Sequence, residues 1–345
     1  MVLQFWVLCF TANFREGYTM KKILLLLAAV SVSFAIFSHP AIAGEKPAVT
    51  VSARTLNSVP LLGPEGILLT PDGNIYVGEH DGKIARIVDD GTVEVFANLN
   101  NLPGEHKPIS TVGIAMDGDG DIYAATLDFN GGSVLKVVGP GRPDARKVSL
   151  FRNGIGMANF VLIDKETSTM YVSDSSMFSG RVFRFDMKDE ARIGKPADTE
   201  KELLGKFAYA NGLALGPDKE WLYVAETTNG RISKVNLKTK QPEVLVKLGG
   251  WTDGITYDPE RQLIFACDNK GGRITAVDMS GKVVGEIHVI GKEGQCAPAS
   301  LIFRDPNTVV FTDLWRASLL RALIGKPQYH SYVYQLPVSE ILGAK

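Results

Sequence analysis

The sequence predicts an all-β protein, a six-bladed β-propeller, on three observations. One plan recurs six times: a short apolar strand, a turn rich in Pro, Asp and Gly, then a strand built on an aromatic residue. The anchoring aromatics, Tyr76, Tyr123, Tyr171, Tyr223, Phe265 and Phe311, stand 47, 48, 52, 42 and 46 residues apart. Long helical periodicities are absent, so solenoids and sandwiches fit this regular period less well.

A leader precedes the repeats. Residues 1–19 read as an over-called start. From Met20 the chain has the form of a signal peptide: Lys21 and Lys22, the apolar stretch Ile23–Phe37, and the A-x-A site Ala41-Ile42-Ala43. The apolar stretch is shorter than the roughly 20 residues of a membrane helix. Cleavage leaves residues 44–345 as one exported propeller domain, periplasmic or secreted. Val49–Thr55 reads as an isolated strand, expected to complete the last blade and close the ring.

Third strands follow each aromatic, predicted at Lys83–Val88, Val134–Val138, Arg181–Phe185, Arg231–Val235, Arg273–Val277 and Ser318–Ala322. Fourth strands follow in most units, such as Val93–Phe96 and Glu243–Val246. Composition excludes little else. With 45% hydrophobic and 22% charged residues and a net charge of −1, nothing favours nucleic acid or a membrane surface.

The first strand of a propeller blade lines the central channel, so residues at its start converge on the channel mouth. Twelve residues before their anchors lie Asn159, Asn211 and Asp253, and eleven before Tyr76 lies Glu65. Val112 and Ser300 hold the places in the other two blades. Two carboxylates and two amides meeting in a confined site need a compensating charge. A hard divalent cation supplies it, and calcium, with 6–8 oxygen ligands, suits this donor set. The ring has no His or Cys, which disfavours zinc.

Other acidic sets have plainer explanations. Asp117-Gly118-Asp119-Gly120-Asp121 begins like a calcium loop, but Ile122 stands where such a loop needs Gly, so a hairpin turn is expected. Glu79, Asp174, Glu226, Asp268 and Asp313 follow the anchors, mostly with Lys or Arg close behind (Lys83, Arg181, Arg231, Arg273, Arg316). Charge pairing and loop bracing are expected of them. His80 and His106 stand in loops from which either could reach the mouth, with no Ser and Asp to make a triad. Trp251 and Trp315 either line a pocket or pack between blades. Cys267 and Cys296, the thiols left after cleavage, fall on the mouth side, and the spacing leaves their pairing open.

At Gly63-Pro64-Glu65-Gly66, at Asn211-Gly212-Leu213 and at Asp253-Gly254 the sequence resembles the six-bladed calcium propellers that include regucalcin (senescence marker protein) and the gluconolactonases. The resemblance covers roughly residues 60–320. It implies that Glu65, Asn211 and Asp253 bind calcium, with Asn159 at the metal or the substrate. Regucalcin-like sugar lactonases carry an Arg two residues before that Asn, where this chain has Met157. The pocket expected here is therefore less polar than a sugar site. Asp81-Gly82-Lys83-Ile84-Ala85-Arg86 and Glu226-Thr227, with Arg231-Ile232, are similar instead to the strictosidine-synthase-like proteins. Pro298–Phe303 offers no acid to match the catalytic Glu of that branch's plant enzyme.

The expected function is a calcium-dependent hydrolase of small-molecule lactones or esters, the cation being calcium or another hard divalent ion. Asp253 is the expected base, and Asn159, Met157, Trp251 and His80 the expected substrate contacts. A periplasmic binding propeller with a structural calcium is the alternative, its protein partner unknown. Strictosidine-synthase-like chemistry is a third reading.

Overall fold

Each blade begins on the inside and works outward, because its first strand is apolar on both faces while its last is half exposed. A computed structural model describes residues 49–102, 110–128, 131–177, 179–314 and 330–343. The leader, His106, Trp315, Arg316 and Ser318–Ala322 lie outside the described residues.

Blade 1 is Pro64–Leu69, Ile75–Glu79, Lys83–Ile87 and Val93–Asn98. Blade 2 is Ser110–Met116, Ile122–Asp128, Gly131–Val137 and Val148–Asn153, extended by the parallel pair Lys195–Pro196. Blade 3 is Ala158–Asp164, Thr169–Asp174, Arg181–Asp186 and Leu203–Lys206. Blade 4 is Ala210–Leu215, Trp221–Glu226, Arg231–Asn236 and Pro242–Lys247. Blade 5 is Thr252–Asp258, Leu263–Asp268, Arg273–Asp278 and Val283–Gly291. Blade 6 is Pro298–Asp305, Thr308–Asp313, Val333–Pro337 and, from the other end of the chain, Arg54–Thr55.

The N-terminal segment does more than complete blade 6. Arg54–Thr55 pairs antiparallel with the third strand of that blade. Val49–Ser52, just before it, runs parallel to the outer strand of blade 5. One segment thus covers two edges that would otherwise template aggregation. The third strand of blade 6 is Val333–Pro337, where Ser318–Ala322 was expected. Blade 6 reaches its third strand only after a long intervening segment, and a fixed period cannot anticipate that.

The core is a set of layers between neighbouring blades. Tyr76 packs with Ile114 and Ala124 of blade 2, and Tyr223 with Ile255 and Ile264 of blade 5. Strand alternation puts successive side chains on opposite faces, so a one-residue slip changes the layer. Blade 6 shows that slip. Val310 packs against Ile67 and Val77 of blade 1, whereas Phe311 faces blade 5 and stacks on Tyr334 at 5.6 Å. Val310, rather than Phe311, is the structural counterpart of the other anchors.

The six first strands touch in a closed circle. A Cβ on Gly66 would lie 2.1 Å from Val112 O, one on Gly113 2.4 Å from Asn159 O, and one on Gly254 2.4 Å from Ala299 O. A Cβ on Gly212 would meet Ile255 N at 2.5 Å and Asp253 O at 2.6 Å. Hydroxyls complete the circle: Ser175 donates to Ala210 O at 2.7 Å, and Thr312 to Glu65 O at 2.6 Å. Asp117–Asp121 is a hairpin turn closed by Asp117 N–H to Asp121 O at 3.0 Å. No helix among the described residues is long and apolar enough to cross a membrane.

Gly212→Ala forces blades 4 and 5 apart at backbone atoms that cannot rotate away. It should lower unfolding stability by about 2–4 kcal/mol in a urea titration. A loss under about 0.5 kcal/mol would show that the close approach is dispensable.

Candidate metal centre at the channel mouth

Each first strand is irregular where it reaches the mouth. Its register with the second strand shifts between Pro64 and Ile67, Ala158 and Val161, Ala210 and Leu213, and Thr252 and Ile255. Blades 2 and 6 shift likewise, between Thr111 and Ile114 and between Pro298 and Leu301. A bulge of this kind leaves a residue out of the ladder and re-aims its side chain. The residues left out include Glu65, Asn159, Asn211 and Asp253, with Val112 in their place in blade 2; in blade 6 the one-residue slip gives the place to Ala299, and Ser300, expected there, stands one position further on. The structure brings Glu65 and Asp253 within electrostatic reach of each other from non-adjacent positions in the sequence.

The loops leading into these strands are held by carboxylates. Leu62 N–H donates to Glu79 Oε1 at 2.8 Å, and Met157 N–H to Asp174 Oδ1 at 2.9 Å. Ala208 N–H donates to Glu226 Oε2 at 2.8 Å, Trp251 N–H to Asp268 Oδ1 at 2.8 Å, and Ala297 N–H to Asp313 Oδ1 at 2.7 Å. In five blades, then, an acid ending the second strand fixes the backbone two or three residues before the mouth position. Three of these acids are clamped from the other side by the arginine opposite them. Arg181 reaches Asp174 Oδ2 at 2.6 Å, Arg231 reaches Glu226 Oε1 at 2.7 Å, and Arg273 reaches Asp268 Oδ2 at 2.6 Å. Charge pairing was legible in the sequence, but the backbone half of the brace was not.

Blade 1 departs from this arrangement. Lys83 turns to Asp81 instead of Glu79. Burial then dominates, and the Glu79 carboxyl is pushed up to about 7, against the pull of Leu62 N–H. Glu226 is the contrast: burial opposes its charge, yet Arg231, Ser233 and Ala208 N–H together hold its pKa below the usual carboxylate range.

Glu65, Asn211 and Asp253 are buried, each exposed by 7% or less, while Asn159 is half-buried. Burial raises the pKa of the Asp253 carboxyl well above its ordinary value. The charges of Glu65 and Asp268 add to that, and a hydrogen bond from Asn211 opposes it. Among the described residues no lysine or arginine enters this balance. The amide of Asn211 is oriented: its Nδ2 donates to Thr227 Oγ1 at 3.2 Å, and that hydroxyl donates onward to Thr252 O at 2.8 Å. Its Oδ1 is left as an acceptor.

His80, expected at the substrate, is 1% exposed and its Nε2 bonds Glu65 Oε2. It holds the carboxylate from behind. Met157 and Trp251 are half-buried in the inbound loops, and Lys270 stands 5.7 Å from the Trp251 ring. Arg152 does not replace the missing arginine of a sugar site. It is buried between Phe151 and Phe185, at 4.7 and 5.2 Å, and donates to Arg192 O. Cys267 and Cys296 are free thiols buried in one cluster; burial, then Asp253 and Asp268, push the Cys267 thiol up.

Among the described residues no three or more His, Cys, Asp and Glu side chains gather in a metal-binding group. The mouth instead offers two carboxylates and two amides. Two buried carboxylates beside an oriented amide oxygen, with no lysine or arginine among the described residues acting on Asp253, match a hard oxygen-seeking ion.

Residues 45–201 and 192–313 match the family described as SMP-30/Gluconolactonase/LRE-like region. Strictosidine synthase-like protein 10 of Arabidopsis thaliana is 28% identical over 243 residues, 63% of this chain and 64% of its own length. The adipocyte plasma membrane-associated protein hemomucin of Drosophila melanogaster is 28% identical over 211 residues, 53% of this chain and 34% of its own. The chain thus spans less than two thirds of the length of these curated relatives. Among solved structures, the calcium-binding protein regucalcin of Agrobacterium tumefaciens superposes with a TM-score of 0.61 at 16% identity, covering 84% of this chain and 95% of its own. A gluconolactonase of Xanthomonas campestris superposes with a TM-score of 0.61 at 16% identity, over 87% and 98%. At that identity the likeness establishes the fold.

The raised pKa of Glu79 makes stability depend on pH. The folded value stands above the unfolded 4.5, so the folded protein favours the protonated acid. That contribution is full below pH 4.5 and is lost as pH rises through about 7. Glu79→Gln keeps an acceptor for Leu62 N–H and cannot ionise. Its stability relative to the native chain should therefore rise between about pH 5 and about pH 8, by at most about 3 kcal/mol. Thermal melts at both pH values measure it, and a difference independent of pH would count against the assignment.

Proposed function

Because the chain belongs to the SMP-30/gluconolactonase/LRE-like family, we propose that it is an exported, calcium-dependent hydrolase of lactones or related esters. The observation that carries this reading is the convergence of Glu65, Asn211 and Asp253 at the mouth, two buried carboxylates with no lysine or arginine among the described residues acting on Asp253. These three residues hold the ion, Glu65 braced by His80 and Asn211 by Thr227. Asn159, less buried than they are, completes the metal shell or meets the substrate.

When bound, calcium polarises the ester carbonyl and offsets the negative charge that grows on its oxygen. Asp253 accepts the proton of the attacking water through a carboxylate oxygen that the ion leaves free. Met157 stands where a sugar lactonase resemblance would place an arginine, so the preferred ester is aliphatic or aromatic in its acyl part rather than a sugar lactone. Export is supported by the signal-peptide pattern of residues 20–43.

Residues 44–345 should hydrolyse members of a panel of sugar, aliphatic and aryl lactones in calcium and stop after chelation. Asp253→Ala should lower kcat/KM by about 100-fold or more. Turnover indifferent to chelation, or retained in Asp253→Ala, would dispose of the reading. Calcium binding without any turnover would replace it with a ligand-binding propeller.

A further inference from the structure

Away from the mouth, blades 2 and 3 enclose a cavity of about 320 Å³. Tyr123, in its lining, stands two residues past the Asp117–Asp121 hairpin, which puts the cavity at the blade ends opposite the mouth. One wall is a row across three strands of blade 2. Tyr123 is paired in register with Lys136, and Lys136 with Ser149, so their side chains share one face of the sheet. The Phe151 ring, two residues further along the outer strand, meets Tyr123 edge-on at 5.1 Å.

The facing wall is the connection between Asp186 and Leu203 in blade 3, which contributes Met187, Lys188, Glu190 and Ile193. In blade 4 the corresponding connection runs only from Asn236 to Pro242. The longer one is stitched to blade 2. Gly194 N–H donates to Phe151 O at 2.8 Å and Ala197 N–H to Asn153 O at 2.9 Å, while Lys195–Pro196 runs parallel to Arg152–Asn153. Buried Arg152 donates to Arg192 O and stands 3.6 Å from Glu202, which also takes Arg192 at 3.2 Å. A buried guanidinium loses hydration, and what it supplies in return is position more than stability. The residue so positioned is Ile193, between Arg192 and Gly194, with its own N–H donating to Glu190 O at 3.2 Å. Its side chain is nonetheless 45% exposed on the lip of the cavity. The backbone imposes that exposure, and an apolar body in the cavity would remove it from water.

The cavity has the size and the lining of a small-molecule site, apolar walls with a few polar groups. Its charged lining residues are Lys136, Lys188 and Glu190, two cations to one anion. Buried Asp121 takes Lys136 at 2.8 Å but is shared with Arg142 at 2.9 Å, so one carboxylate serves two cations. Lys188 is exposed at the rim. A surplus cation beside aromatic and aliphatic walls fits a monoanion with an apolar body.

We propose that this cavity is a second ligand site, taking a small monocarboxylate with an apolar tail, the tail against Phe151, Met187 and Ile193 and the carboxylate at Lys188. It is separate from the mouth and independent of the hydrolase reading.

The probes are octanoate and its neutral match octan-1-ol, titrated into protein labelled with 13C-methyl methionine, the Met187 signal being identified by Met187→Leu. Octanoate should move that signal with a Kd on the order of 0.1–1 mM, and octan-1-ol should bind several-fold more weakly. Lys188→Glu, a change in an exposed turn, should weaken octanoate about threefold to tenfold and leave octan-1-ol as it was. Ser149→Trp fills the cavity from an exposed strand position and should abolish the response to both probes at a Tm close to native. A Met187 signal that neither probe moves overturns the proposal. So does octan-1-ol binding as well as octanoate with no effect of Lys188→Glu, since the cavity would then have no preference for an acid. Undiminished binding in folded Ser149→Trp places the ligand elsewhere and overturns it as well. If Ser149→Trp does not fold, the Lys188→Glu comparison decides.

Discussion

Everything at the channel mouth depends on one repeated bond, from a carboxylate at the end of a second strand to a backbone N–H just ahead of the first. Glu79, Asp174, Glu226, Asp268 and Asp313 each make it. The acid sits in the middle of a three-strand ladder, buried and, in blades 3, 4 and 5, neutralised by the arginine directly opposite. It can therefore act as a rigid acceptor for a loop that has no ladder of its own. A buried charge paired on one side and hydrogen-bonded on the other contributes specificity of position more than stability. Here the position specified is that of Asn159, Asn211 and Asp253, two or three residues later in the chain.

The bulges and glycines follow from the same requirement. Six first strands must converge closely enough to share a site, yet turn one side chain each out of the ladder. Bulges do the turning, and glycine or hydroxyl residues permit the approach. The outcome is a site whose two carboxylates repel each other and whose amide is pinned by Thr227. Such a site favours a cation, because among the described residues no lysine or arginine relieves Asp253. Tyr209, two residues before Asn211, has a left-handed backbone with φ at 57°, and the Glu226 and Thr227 contacts hold its loop in place.

Much of this was legible in the sequence, and the limits have physical causes. The repeat, the blade count and the mouth positions of blades 1 to 5 could be read because alternation and turn chemistry are local signals that recur at a fixed period. The charge pairs could be read because acid and base recur in step. Blade 6 defeated the same reasoning twice. Its third strand lies beyond a long intervening segment, and its aromatic Phe311 is displaced by one residue, so alternation turns it to the wrong layer. The parallel strand Val49–Ser52 was read only as part of a closing segment, since residue types do not reveal which edge a strand will cover. His80 on Glu65, the backbone half of each brace and the left-handed Tyr209 were invisible. Backbone donors carry no residue label, and φ is not written in a side chain.

The central claim is that this braced mouth is built around a hard divalent cation. Calorimetric titration of calcium into chelator-treated protein, with Glu65→Gln and Asp253→Asn in parallel, tests it most directly. The account predicts one ion bound per chain in the native protein, and affinity reduced about 100-fold or more in each variant, since each removes a charged oxygen ligand. A native protein that takes up no calcium or other divalent ion, or variants that bind it as tightly as the native chain, would contradict the account.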